Sequence, residues 1–91
     1  MTETRIYDLC ALVRETSLSA HRFLRHGHSE KIYENALLHR LRKRGIDVKP
    51  QQPLPVFDED GAELGLLFAD LVVEEALIVE VKAVRQLVDE H

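Results

Sequence analysis

The sequence has 91 residues, which is enough for a single small domain but not for two. With 45% hydrophobic and 31% charged residues, it has the composition of a globular protein and not of a disordered one. No apolar run approaches the roughly 18 residues of a transmembrane helix, and the single cysteine, Cys10, excludes a disulfide framework. The N-terminus lacks the basic and apolar segments of a signal peptide, so we expect a cytoplasmic protein.

The net charge of −4 conceals an uneven distribution along the chain. Residues 1–50 carry ten lysine and arginine residues and six acidic residues, whereas residues 51–91 carry two and ten. The basic half is a candidate phosphate-binding surface and the acidic half a candidate cation site. Uneven charge on a solvated surface gives the same counts, so the two explanations remain open at this level.

Two helices are predicted in the first half of the chain. Apolar residues recur at three- and four-residue steps from Glu3 to Arg25. The second helix begins at the N-cap Ser29 and ends at Gly45. Its basic last turn is a candidate for binding the phosphates of nucleic acid, or for interacting with the helix dipole, through Arg40, Arg42, Lys43 and Arg44.

After the second helix, the apolar residues follow the period of a strand. The prolines at positions 50, 53 and 55 restrict the first strand to an edge or bent position in a sheet. The second strand is apolar on both faces except at Asp70, which predicts that both faces of the sheet are covered. The predicted strands are 46–57, 63–73 and 77–84, and the start of a final helix follows them.

Three charges interrupt the last two apolar strands: Asp70, Glu80 and Lys82. Burial of an unpaired charge is expensive, so these groups need partners or a ligand. A three-residue connection would place Asp70 directly opposite Glu80, with Cβ atoms about 4.5–5.5 Å apart. A two-residue connection would instead send Asp70 to the other face of the sheet, unless a bulge corrected the register.

Two carboxylates at this spacing repel each other, and a divalent cation relieves the repulsion. An all-oxygen ligand set, which includes the backbone carbonyl of Val81, suits Mg²⁺ or Mn²⁺. Lys82 could then orient a water molecule or stabilise a developing phosphate charge. The alternative is a buried ion triad in which Lys82 simply pairs with Asp70 and Glu80.

Two motifs occur in order along the chain. Gly27-His28-Ser29-Glu30-Lys31-Ile32-Tyr33 reads G-x-x-E-x-x-Y, and Asp70 is followed by Glu80-Val81-Lys82. In this arrangement, over about residues 20–88, the chain resembles the PD-(D/E)XK nuclease superfamily and, within it, the GxxExxY proteins. Ala69 stands where the superfamily name has proline.

The resemblance implies one domain over residues 1–91 with an α/β fold. The expected fold is a restriction-endonuclease-like core with two N-terminal helices and then a three-stranded mixed or antiparallel sheet. Members of the family continue through a long helix and a further strand. We therefore expect the domain to be incomplete at its C-terminal end, with the final helix truncated.

The resemblance also implies a function, which is that of a metal-dependent phosphodiesterase acting on DNA or RNA. Asp70, Glu80 and the Val81 carbonyl would hold Mg²⁺ or Mn²⁺, and Lys82 would assist the attacking water. Glu30 would join them, because the first core helix of the superfamily often supplies a carboxylate. Without the resemblance, Glu30 is an ordinary acidic residue of a first helical turn. Tyr33 is a weak candidate for nucleic-acid contact or a core aromatic residue.

An alternative from another class is a catalytically inactive module that keeps the nuclease fold and binds a partner. Loss of the C-terminal part would leave the third strand with an unpaired edge and would uncover Leu77, Val79 and Val81. An exposed apolar edge strand is a template for pairing with another chain. We therefore expect a homodimer or a higher homo-oligomer.

Overall fold

The computed structural model describes residues 2–81, which form two helices and then three strands. This is the predicted α/β order, and the sheet is antiparallel throughout. The predicted final helix and the residues of the third strand beyond position 81 lie outside the described residues. The elements are α1 (Glu3–Leu24), α2 (Glu30–Lys43), β1 (Val48–Phe57), β2 (Glu63–Val73) and β3 (Leu77–Val79).

Both helices begin at a hydroxyl-bearing cap. The Thr2 hydroxyl accepts a hydrogen bond from the Arg5 amide at 3.2 Å, and the Ser29 hydroxyl accepts one from the Ile32 amide at 3.4 Å. The hydroxyl residues within α1 do not interrupt it, and Thr16 donates its hydroxyl to the Leu12 carbonyl at 2.7 Å. No helix within residues 2–81 is long and apolar enough to cross a membrane.

The hydrophobic core lies between the two helices and one face of the sheet. The largest fully buried side chains come from both layers, namely Leu9, Leu41, Val48, Leu71 and Val73. The strand β3 also belongs to this core, since Val81 is buried against it and Leu77 and Val79 are half-buried. The expectation that these three residues are uncovered is therefore wrong, because they face the helical layer.

The sheet is a meander in the order β1-β2-β3, so β1 lies at an edge as its three prolines predict. The β1–β2 ladder pairs Pro50 with Leu71 and Gln52 with Ala69. Gln51 therefore stands opposite Asp70, and its φ of 51° departs from strand geometry at this one position. This irregularity divides the hairpin into a near half, residues 48–50 with 71–73, and a far half, residues 53–57 with 63–68.

The expectation that both faces of β2 are covered is wrong for the far half, where apolar side chains are exposed. Leu64, Leu66 and Phe68 are exposed by 64%, 57% and 60%, and burial on β2 begins only at Ala69. An apolar pattern records that a strand can be covered but not which element covers it. Within residues 2–81, the helices supply a single layer that packs on the near half.

Candidate active site

The connection between β2 and β3 has three residues, Glu74, Glu75 and Ala76. Glu74 and Glu75 adopt positive φ values of 53° and 56°, and the turn closes with a hydrogen bond from the Ala76 amide to the Val73 carbonyl at 3.0 Å. The pairs that follow are Val73 with Leu77 and Leu71 with Val79. The next opposing positions along this register are Asp70 and Glu80.

Asp70 is fixed where β3 leaves the ladder. Its Oδ2 accepts a hydrogen bond from the Val81 amide at 2.7 Å, and its side chain is half-buried. Bonds between a carboxylate and a backbone amide are stronger than neutral ones, so this contact orients the Asp70 side chain toward β3. Glu80 is exposed at the opposing position. The site therefore combines an anchored carboxylate with a solvent-accessible one.

A third carboxylate, Glu34 on α2, approaches the same part of the sheet. Glu34 is only 5% exposed, and the Gln51 amide donates to its Oε1 at 3.0 Å and its Oε2 at 3.1 Å. Lys31 donates to Oε2 at 3.0 Å. Gln51 lies between the pairs Pro50–Leu71 and Gln52–Ala69, so its side chain connects Glu34 to the unpaired ladder position across from Asp70.

The sequence analysis missed Glu34 and Gln51. A signal for Glu34 exists, because it lies three and seven residues before Leu37 and Leu41 and so shares their buried face. No sequence signal predicts that Gln51 adopts a left-handed conformation, which glutamine seldom does. The conformation of Gln51 and its position across from Asp70 are known only from the structure.

The residues predicted from the G-x-x-E-x-x-Y motif occupy different environments. Glu30 is exposed in the first turn of α2. Tyr33 is 3% exposed, donates its hydroxyl to the Arg25 carbonyl, and stacks on His21 with ring centroids 4.3 Å apart. Tyr33 thus joins the end of α1 to the start of α2. Among residues 2–81, no three His, Cys, Asp or Glu side chains are close enough to hold one metal ion. Glu30 is therefore not brought together with Asp70 and Glu80.

The basic last turn of α2 is divided between two roles. Arg42 donates to the Val48 carbonyl at 2.8 Å and so joins α2 to the start of β1. Arg40 donates to the Ser19 hydroxyl at 2.9 Å on α1. Arg40, Lys43 and Arg44 line a cavity between the two helices. Three of the four predicted cations therefore share one surface, and Arg42 has a structural partner.

A family model of the PD-(D/E)XK nuclease superfamily matches residues 7–91, which is nearly the whole chain. The chain belongs to the PD-(D/E)XK nuclease superfamily. Searches of curated proteins and of solved structures found no match.

Membership of the superfamily gives the two motif strands a functional context. Nucleases of the PD-(D/E)XK superfamily generally use divalent metal ions, and their substrate class is nucleic acid. The position before Asp70, where the superfamily name has proline, is occupied by Ala69, whose side chain is fully buried. The last motif residue, Lys82, lies outside the described residues.

The donor set on β2 and directly after β3 fits a hard divalent cation. Asp70, Glu80 and the carbonyl of Val81 offer oxygen only. Mg²⁺ is commonly held by one or two carboxylates while water and substrate phosphates complete its coordination. Two protein carboxylates and one carbonyl are therefore sufficient for Mg²⁺ or Mn²⁺, and a third protein carboxylate is not required.

Proposed function

We propose that this protein is a metal-dependent phosphodiesterase that cleaves nucleic acid. The observation that carries the proposal is the register of β2 and β3, whose last pair, Leu71 with Val79, leaves Asp70 and Glu80 as the next positions, together with the bond that Asp70 accepts from the Val81 amide. In a PD-(D/E)XK nuclease, two carboxylates at this place are the groups that would hold Mg²⁺ or Mn²⁺.

Each residue of the site would have a separate task. Asp70 and Glu80 would bind the cation together with the Val81 carbonyl, and the bound ion would supply Lewis acidity toward the scissile phosphate. Lys82, two residues after Glu80, would position the attacking water or stabilise the charge that develops on the phosphate. The anchored Asp70 keeps one carboxylate oriented before the cation arrives, which lowers the reorganisation needed for binding.

We also propose that the helical carboxylate of the site is Glu34 and not Glu30. Glu34 is buried, and Gln51 joins it to the position opposite Asp70. Glu30 lies one turn earlier and is exposed. Glu34 would support the cation site through Gln51, as carboxylates behind a metal site commonly support the groups in front of them.

The test is a cleavage assay on supercoiled DNA and on single-stranded RNA with Mg²⁺ or Mn²⁺. The variants Asp70→Asn and Glu80→Gln remove one charge each and keep the shape of the side chain, and the asparagine oxygen can still accept from the Val81 amide. We expect each to lower the cleavage rate by at least about 100-fold, because each removes electrostatic stabilisation worth several kcal/mol. Glu75→Gln, an exposed carboxylate of the same turn, should cleave at the wild-type rate.

Calorimetric titration with Mn²⁺ separates the metal site from the alternative ion triad. In the metal site, Asp70→Asn abolishes Mn²⁺ binding and leaves the protein folded, because removal of one of two repelling carboxylates does not weaken the apoprotein. In a triad with Lys82, the same change leaves a buried cation short of a partner and unfolds the protein. Unfolding of Asp70→Asn would therefore contradict the proposal.

A second candidate function is a binding module without catalytic activity. The observation in its favour is the far half of the hairpin, where Leu64, Leu66 and Phe68 are exposed side by side on one face. This candidate accounts for the surface if neither DNA nor RNA is cleaved. A homodimer that buries the same residues is compatible with both functions and is proposed as the oligomeric state.

A further inference from the structure

A cavity of about 310 Å³ lies between α1 and α2. It is formed where the last turns of α2 pass the middle of α1, and none of its lining residues belongs to the strands that carry Asp70 and Glu80. The lining residues are Glu15, Thr16, Ser19, Arg40, Lys43 and Arg44.

The cavity is positively charged in a protein whose net charge is negative. Three cations line it against the single carboxylate of Glu15, whereas the whole chain carries −4. An anion is therefore attracted to this place and not to the surface in general. Thr16 donates its hydroxyl to the Leu12 carbonyl, so the other polar groups that a ligand meets are the three cations, the Ser19 hydroxyl and the Glu15 carboxylate, whose charge the three cations outweigh.

Arg40 is already held in position. Its Nη1 donates to the Ser19 hydroxyl at 2.9 Å, and its Cζ lies 6.0 Å from the centroid of the Phe23 ring. A guanidinium fixed on two sides loses less conformational entropy when it binds a phosphate, and its planar donors match phosphate oxygens.

Phe23 gives the surface a second kind of recognition. Its side chain is 76% exposed, and it follows Ser19 by four residues, so both lie on the same face of α1. A solitary exposed aromatic residue is ordinary, but here the ring adjoins a basic cavity and contacts one of its cations. Aromatic side chains beside a positively charged groove are the elements that bind unpaired nucleotides.

We propose that this surface binds single-stranded nucleic acid, with a backbone phosphate at Arg40, Lys43 and Arg44 and an adjacent base stacked on Phe23. The proposal rests on the proposed function and specifies its substrate class. A duplex can offer its phosphates to the cavity, but its bases are stacked on one another and cannot also stack on Phe23. The preference for an unpaired strand therefore depends on Phe23, and the salt dependence of binding depends on the cations.

The experiment measures binding without cleavage. Fluorescence anisotropy with labelled single-stranded DNA, single-stranded RNA and a matched DNA duplex is carried out in EDTA, so that the metal site does not contribute. We expect the wild type to bind either single strand more tightly than the duplex. Phe23→Ala should weaken single-strand binding by roughly 5- to 150-fold, the range for loss of one stacked base. Its affinity for the duplex should not change.

Matched variants on α1 serve as controls. Leu18→Ala removes another exposed apolar side chain of α1, and Arg14→Ala removes an exposed cation outside the cavity. Both should bind as the wild type does. The double variant Lys43→Gln and Arg44→Gln should reduce the slope of log affinity against log salt by about 0.7 for each phosphate that the protein no longer neutralises.

The proposal is overturned if Phe23→Ala binds single strands with wild-type affinity, if Leu18→Ala is weakened equally, or if the duplex binds as tightly as the single strand. It is also overturned if the wild type binds no nucleic acid in EDTA. These outcomes are distinct from failure of the proposed function. A protein that binds single strands through Phe23 but never cleaves them retains this binding surface and loses only the proposed catalytic activity.

Discussion

The near and far halves of the β1–β2 hairpin are both paired antiparallel ladders, with a register shift between Val56 and Phe57 in the far half, but they differ in exposure. On the face of the hairpin that meets the helices, Val48, Leu71 and Val73 of the near half are buried, whereas Val56 and Leu67 of the far half are 43% and 42% exposed. Both halves are apolar. The comparison shows that apolar composition and ladder pairing produce a strand, whereas burial depends on the helical layer.

The boundary between the two halves coincides with the candidate active site. Asp70 on β2 and Gln51 on β1 occupy opposing positions there, and Gln51 leaves strand geometry. On one side of this boundary the strands pack against the core. On the other side the strands are open to solvent, so Asp70 is anchored by protein and still accessible to a cation and to a substrate.

The largest expected effect is on the free energy of unfolding, which a substitution should lower much more in the near half than in the far half. Leu71→Ala in the near half should lower the free energy of unfolding by about 2–5 kcal/mol, because it leaves a cavity in the core. Leu67→Ala, on the same face of β2 in the far half, is the matched control and should lower it far less, because its side chain is 42% exposed. Urea denaturation followed by circular dichroism measures both. Equal losses would mean that an element beyond residue 81 covers the far half as firmly as the helices cover the near half.

The next effect concerns the carboxylate behind the boundary. Glu34→Gln should lower Mn²⁺ affinity by about 10- to 100-fold, as is typical when a residue supporting a metal site is removed. The matched control is Glu30→Gln, which lies one turn away on the same helix and should bind Mn²⁺ as the wild type does. Calorimetry gives the affinities, and a urea titration of each variant shows that the fold is kept. A larger loss of Mn²⁺ affinity for Glu30→Gln than for Glu34→Gln would mean that Glu30, and not Glu34, is the helical carboxylate of the site.

A smaller effect concerns self-association through the far half. Phe68→Ser replaces an exposed aromatic side chain, and it should weaken a homodimer by about 1 kcal/mol or more in free energy, or about fivefold in dissociation constant. Tyr7→Ser, an equally exposed aromatic residue of α1, is the control and should dimerise normally. Sedimentation at tens of micromolar measures the change. A wild-type protein that remains monomeric under these conditions contradicts the dimer.

The smallest effect comes from an exposed ion pair of the near half. A hydrogen bond from Lys49 to Glu75 at 3.1 Å, together with the charge of Glu75, raises the pKa of Lys49 above its usual value of 10.5. A raised pKa means that the pair contributes stability below pH 10.5 and loses it as the pH rises through the folded-state value. Lys49→Gln should therefore unfold at a slightly lower temperature than the wild type at pH 8. The difference in unfolding temperature should disappear once the pH exceeds the folded-state pKa of Lys49. A difference in unfolding temperature that grows with pH would contradict a raised pKa for Lys49.

The fold was largely predictable because its signals are local. Apolar periodicity and the cap at Ser29 predicted both helices, and the prolines predicted that β1 lies at an edge. Which face of a strand is covered was not predictable from the strand itself. Leu67 and Leu71 have the same chemistry and lie on the same face of β2, and only the position of the helices distinguishes them.

The candidate site was predictable in part for the same reason. A three-residue turn, one of the two lengths that the sequence allowed, sets the register in which Asp70 and Glu80 follow the last pair, Leu71 with Val79. Glu34 reaches this place through Gln51, whose backbone conformation depends on contacts between α2 and β1. Sequence spacing does not contain that information.

The turn between β2 and β3 has a consequence for how this protein can evolve. Its backbone tolerates substitution, since Glu74 and Glu75 occupy conformations that asparagine or glycine adopt more easily. Its number of residues cannot change, because the insertion or deletion of one codon would move Asp70 and Glu80 to opposite faces of the sheet. In a library of random variants selected for activity, in-frame deletions within codons 74–76 should disappear while substitutions at the same codons persist.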